Sequence, residues 1–242
     1  MGRTTKLILD IVIGAVIPIL VLSYLSEPLG AIPAYLLAAL IPVAWVFLDL
    51  FLITRRFNVI TSYTGLQAIM RGLLAFWFVD GWQFALKDTG GAIVATVVFV
   101  GSIMIDKPMM ELFWRQGLAP DTPEREENLN ALTNRPDVRR ALRQGTLALL
   151  IANILTGIAN FWLNLVIVVA PFGTEVFNQQ VAQVNAITRI ALTIPELIAF
   201  GIAFWMLWQA VGQIFSGHEG PDNDDFWAAL AAWRARSQQE QI

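Results

Sequence analysis

Apolar residues in this chain fall in long unbroken blocks separated by short polar joints. Six blocks reach the length of a bilayer-crossing helix, about 20 residues for about 30 Å of hydrocarbon. They cover residues 7–25, 31–54, 60–79, 83–105, 147–169 and 190–215. The first carries Asp10 near its start and Pro18 inside it, and Ser23-Tyr24-Leu25 offers no small-x-small cleavage site. It therefore reads as a retained helix rather than a signal peptide. The fourth has a short uncharged stretch, Thr89 to Ile105, so its helix is expected to begin near Gln83 with Lys87 snorkelling outward. Pro171 closes the fifth. The pattern predicts an all-α polytopic membrane protein, with a six-helix transmembrane domain over 1–215 and a cytoplasmic amphipathic tail over 216–242.

The joints differ in kind. Ser26–Gly30, Asp80–Trp82 and Phe172–Arg189 read as outer loops, the last with a short surface helix around Val176–Val184. The long connection 106–143 reads as an amphipathic, cytoplasmic stretch. Pro108 opens a helix in which Met109, Leu112 and Phe113 share a face with Met110 at its edge, an interfacial pattern. Thr122-Pro123 followed by Glu124, Glu126 and Glu127 combines a capping hydroxyl, proline at the first helical position and acids at the positive end of the helix dipole. Asn134-Arg135-Pro136 ends that helix and starts another that runs on into the fifth span. After Gly220-Pro221-Asp222, a tail helix brings Phe226, Trp227, Leu230 and Trp233 to one side, flanked by Arg234 and Arg236. That face suits a partner protein or the membrane surface.

Charge sets the orientation. Of sixteen Lys and Arg, thirteen lie on one side of the predicted spans: Arg3, Lys6, Arg55, Arg56, Lys107, Arg115, Arg125, Arg135, Arg139, Arg140, Arg143, Arg234 and Arg236. Lys87 and Arg189 fall on the other side and Arg71 lies inside a span. This bias puts both termini in the cytoplasm. Composition agrees, with 56% hydrophobic and only 14% charged residues, against about 25% charged in soluble domains. There is no cysteine, and His218 is the lone histidine. Disulfide frameworks, thiol nucleophiles, Cys- or His-based metal sites and Ser-His-Asp triads are thereby excluded. A net charge of −3 argues against nucleic acid as a partner. No phosphate loop, paired-carboxylate site or nucleophile–base motif is present, so the expectation is a non-enzyme without catalytic residues, cofactor or metal.

The chemistry-bearing residues lie within the spans. Arg71 sits near the middle of the third, where a charge costs about 2.5 kcal/mol or more. Glu196 follows Pro195 in the sixth at similar depth. Paired, they line a solute or proton path or fix helix register; otherwise the cationic end reaches lipid phosphate. Pro18, Pro42 and Pro195 each free a carbonyl four residues earlier and either kink a helix or open a site. On the fifth span Asn153, Thr156/Gly157, Asn160 and Asn164 recur every three or four residues as one stripe, which either cements a neighbouring helix or lines a wet cavity. Trp77, Trp82 and Trp114 belong near interfaces. Trp45, Trp162, Trp205 and Trp208 lie deeper and read as packing residues, with a bound pigment or lipid as the alternative.

Leu9-Asp10 leading to Pro18, Arg55-Arg56, Gly101-Ser102, Asp106-Lys107-Pro108 and Gly157-Ile158-Ala159-Asn160 occur in an order and spacing that resembles the intracellular septation protein A-like family of bacterial inner-membrane proteins. The resemblance covers residues 6–215 loosely. It implies a multi-pass protein of the bacterial inner membrane with a role in cell-envelope maintenance and division, and it brings no settled activity or catalytic residue. Arg71, the longer connection and the added tail depart from the family pattern. Two functions are expected in turn: a scaffold or accessory subunit that docks other membrane proteins or a second copy of itself, or a small-solute or ion transporter working through Arg71, Glu196 and the Asn stripe.

Overall fold

The computed structural model describes residues 9–54, 59–212 and 223–239. Arg3, Lys6, Arg55, Arg56, His218, the Gly220-Pro221-Asp222 turn and the outermost ends of the first and sixth expected spans lie outside them. Among the described residues every regular element is helical. In chain order the helices are α1 (Ile17–Tyr24, preceded by a π-helical stretch Val12–Val16), α2 (Ser26–Leu29), α3 (Ala31–Leu48, running into a π-helical Asp49–Thr54), α4 (Val59–Ala75), α5 (Gly81–Asp88), α6 (Gly90–Met104), α7 (Met109–Leu118), α8 (Pro123–Thr133), α9 (Pro136–Ile167), α10 (Glu175–Ala191), α11 (Thr193–Gly212) and α12 (Asn223–Gln239).

Three stretches are long and apolar enough to cross a membrane: Ala31–Leu52, Pro136–Ile167 and Glu175–Gly212, with mean hydropathies of 2.2, 1.7 and 2.0. A fourth is the pair α5–α6, bent by 44° at Thr89. The six-span expectation is thus met by three or four crossings. The first block is a 16-residue helix, Leu9–Tyr24, and α4 stops at Ala75, four residues short of the expected Val79. The exterior is that of a membrane protein. Along α9, Leu155, Ile158, Trp162 and Val166 are each 58–63% exposed and succeed one another every three or four residues. They form an apolar stripe opposite the Asn stripe, as hydrocarbon surroundings require.

The helices divide into two compact units, Met1–Thr96 with Asn153–Glu196, and Val97–Ala152 with Leu197–Ile242. In the first, Val21, Leu22, Ala34, Tyr35, Ala38, Phe84, Phe177, Val181 and Val184 make one core. Gly30, at φ +87°, turns the chain from α2 into α3 in a conformation that a Cβ would oppose. Asn178 then ties that turn to α10, donating to the hydroxyl of Ser26 at 2.8 Å and the carbonyl of Ala31 at 2.7 Å. The expected outer loop 172–189 is therefore mostly helix. Thr174 caps α10 by accepting from the Phe177 amide, and Phe177, Val181 and Val184 give it one buried face.

In the second unit, α6 ends with Asp106 in the left-handed region at φ +55°, and the Lys107 amide reaches back to the Ser102 carbonyl at 2.9 Å. The Ser102 hydroxyl accepts from the Met109 amide and the Thr146 hydroxyl from the Met110 amide, satisfying two free donors at the start of α7. This fixes the rotation of α7, so Met109, Met110, Glu111 and Trp114 are buried, whereas Leu112 and Phe113 are only partly so. That differs from the interfacial face expected over 109, 112 and 113, and Trp114 is inside rather than at a surface. Thr122 caps α8 through the Arg125 amide at 3.2 Å. Gly145 lets α9 close on α11: a Cβ there would stand 3.2 Å from that of Ala203.

Candidate functional site

The polar stripe of α9 faces inward and is engaged along its whole length. Asn153 donates through Nδ2 to the Ala92 carbonyl and the Thr96 hydroxyl, both at 2.9 Å. One turn later, Gly157 allows α6 so close that an added Cβ would lie 2.9 Å from that of Ala92. Asn160 and Asn164 then donate to the same oxygen, Oδ2 of Asp88, at 3.0 and 2.8 Å. Asn164 and Thr156 are buried. Interhelix bonds of this kind contribute about 0.6 kcal/mol each in membranes, and up to about 1.7.

Arg71 and Glu196 do not pair. Glu196 Oε1 accepts from the Thr156 hydroxyl at 3.2 Å. Arg71 packs against Gly91, with its guanidinium 3.6 Å from where a Cβ of that glycine would be, beside Gln67, whose amide donates to the Gly91 carbonyl at 3.0 Å. Arg71 makes no ion pair among the described residues. Similar position along two spans does not fix the direction in which a helix presents a side chain. Arg189 of α10 lies near enough to feel the charges of Arg71, Asp88 and Glu196. Its guanidinium donates to the Gly14 carbonyl at 3.1 Å. The cluster thus comprises two arginines, two carboxylates and six uncharged polar side chains, all in the first unit.

Asp88 and Arg189 were the residues missed. Asp88 stands beside the helix break before Gly90-Gly91, and a charge at a glycine-marked break inside an apolar block was the available signal. The expected short surface helix around Val176–Val184 leaves Arg189 in the outer connection, whereas α10 runs on to Ala191 and carries it.

Lys87 overturns the snorkelling expectation. It is 6% exposed and points inward. Its ammonium donates to the Trp77 carbonyl at 2.6 Å and lies 4.9, 5.4 and 6.0 Å from the ring centres of Tyr35, Phe84 and Phe172. Because α4 ends at Ala75, the Trp77 carbonyl is free to accept it. The ring faces supply negative potential, a contribution of about 0.5 kcal/mol when exposed and about 2 or more when dry. Of the deep tryptophans, Trp45 donates to Asp10 Oδ1 at 2.8 Å, while Trp162, Trp205 and Trp208 face outward and are not packing residues.

The tail face expected to meet a partner or the membrane is occupied by the chain itself. Phe226, Trp227 and Leu230 are buried, and Phe226 packs against Trp114. Arg125 lies over the Trp227 ring and Arg135 over that of Trp233. Arg234 closes the contact by reaching Glu127 and Asn128 of α8.

Among the described residues no three His, Cys, Asp or Glu side chains gather as a metal site, and the polar cluster is one of amides and ion-bearing side chains. Comparison of the chain with protein-family models, curated proteins and solved structures finds no match, so these contacts carry the functional reading.

Proposed function

We propose that this is a non-enzymatic integral membrane protein that serves as a scaffold or accessory subunit in the assembly of a membrane or cell-envelope complex. One observation carries the reading: Asn153, Thr156, Asn160 and Asn164 are engaged in holding helices together rather than left lining a route. Packing of α12 on α8 adds a folded module built from charged segments, a surface suited to docking. In this proposal the protein sits in a bacterial inner membrane with both termini cytoplasmic. Six crossings are completed by Leu9–Tyr24 and α4, and kinship with septation protein A-like proteins supplies the envelope role.

Purification in mild detergent tests it. The expected result is a defined partner at fixed stoichiometry that is lost when surface residues of α8 are changed. Recovery of the protein alone, together with solute flux in proteoliposomes that Arg71→Gln abolishes, would overturn it. That second outcome is the transporter reading, which one feature favours: Arg71 has no ion-pair partner among the described residues although the carboxylates of Asp88 and Glu196 lie in the same cluster.

A further inference from the structure

An open pocket of about 700 Å³ lies in the second unit where α6 gives way to the charged connection. Its polar wall is the first part of α9, with Arg139, Arg140 and Arg143 facing Asp106, and its apolar wall is Ile103 and Leu147. The charges do not cancel. Arg139 is held by Asp106, whose carboxylate accepts from it at 2.8 Å and whose carbonyl accepts from it as well, and it reaches Glu111 at 3.5 Å. Arg140 and Arg143 are exposed and form no ion pair among the described residues. Two arginines on one helix face, three residues apart, present forked donors that match a phosphate.

The position of the pocket selects the kind of phosphate. Below the arginines the surface turns apolar at once: Met104 and Ile105 are 80% and 68% exposed on one side, and Leu147 and Ile151 are exposed on the other. An inorganic anion has no use for such a floor, whereas a molecule with an acidic head and hydrocarbon chains matches both halves. We propose that this pocket binds the phosphate of an anionic phospholipid headgroup, with Arg140 and Arg143 on the phosphate and the acyl chains lying along Leu147 and Ile151. A basic pocket at the border of the hydrocarbon layer is the setting in which such headgroups are held. The site rests on the membrane assignment alone and is independent of the scaffold reading.

Native mass spectrometry of the full chain in detergent tests the site, with short-chain phosphatidylglycerol, short-chain phosphatidylcholine and inorganic phosphate as probes. Phosphatidylglycerol should bind at least about tenfold more tightly than phosphatidylcholine, and the Arg140→Gln/Arg143→Gln variant should lose that preference. Arg236→Gln, an exposed arginine on α12, should retain it and so separates the pocket from general charge. Leu147→Gln should weaken the lipid and leave inorganic phosphate unaffected. Equal displacement by inorganic phosphate, with no dependence on Leu147, would keep the phosphate chemistry but assign the source to a soluble anion. Equal binding of the two lipids, or a preference that survives in the double variant, overturns the proposal. Exposed arginines tolerate glutamine, and a helical circular-dichroism spectrum verifies folding. Because the protein itself is the readout, failure here leaves the partner experiment intact.

Discussion

Arg189 donates to the carbonyl of Gly14, the oxygen to which residue 18 would donate in a regular helix were it not proline. The π-helical stretch Val12–Val16 surrounds this point, with the Ile17 amide bonded to Val12 five residues back. A helix near the start of the chain is thus completed by a side chain some 175 positions later. Arg189→Gln should lower thermal stability in detergent by about 1 kcal/mol, since a bond to a charged donor contributes about 1.5–3 before allowance for exposure. In a Pro18→Ala background the same change should cost less, because the restored amide supplies the missing donor. Equal losses in both backgrounds would separate Arg189 from Pro18.

Asp88 is the shared acceptor of Asn160 and Asn164. Asp88→Ala should destabilise by about 1–2 kcal/mol, leaving two amides without their acceptor. Asn160→Ala and Asn164→Ala should then add little in that background, whereas Asn153→Ala, bonded to Ala92 and Thr96 instead, should keep its full effect. A double-mutant cycle on unfolding midpoints reads the coupling directly.

The Asn stripe was legible because spacing of three and four on a helix is geometry, independent of the rest of the fold. Thr122 and Pro136 were legible because caps are local. The inward turn of Lys87 was not, since its cage is assembled from Tyr35, Phe84 and Phe172, and residues so far apart in the chain reveal their proximity only once packed. The core of α10 was legible around Val176–Val184, where Phe177, Val181 and Val184 carry the helical period, but its polar face of Gln179, Gln180 and Gln183 hid its full extent to Ala191. The number of crossings was legible only in part, for a different reason. Hydropathy counts apolar residues, and α4 contains enough polar ones, with a short enough helix, to fall outside the stretches long and apolar enough to cross a membrane.

Gly157 faces Ala92 with no room for a methyl. Gly157→Ala should cost about 1–3 kcal/mol through forced separation of α9 from α6. Ala92→Gly should recover much of that loss when combined with it, and a thermal melt of the two single variants and the double variant decides the point. The same substitution at Gly101, where an added Cβ meets nothing, should be nearly neutral or mildly stabilising.

Asp106 has its carboxyl held below the usual carboxylate range, first by the hydrogen bond from Arg139 and then by the charges of Arg139 and Arg143. A depressed acid contributes stability that is present above its unfolded pKa, about 3.9, and is lost as pH falls through the lower folded value. Protease cleavage within 106–143 should therefore rise only below about pH 4, and Asp106→Asn should show the faster cleavage at neutral pH with that acid step removed. A wild-type profile that is flat to pH 2, or one identical in the variant, would detach the ion pair from the order of the connection.

The ammonium of Lys87 is held by aromatic faces and a carbonyl, and among the described residues no carboxylate is bonded to it. Dissolved ions weaken attractions they can surround, over a distance of about 8 Å at physiological strength, and they cannot enter a dry cage of rings. Raising salt should thus loosen the exposed Asp106–Arg139 link and leave the junction around Lys87 untouched. That part of the first unit is in this respect brine-proof: its hold on the Lys87 side chain does not depend on what is dissolved in the surrounding water.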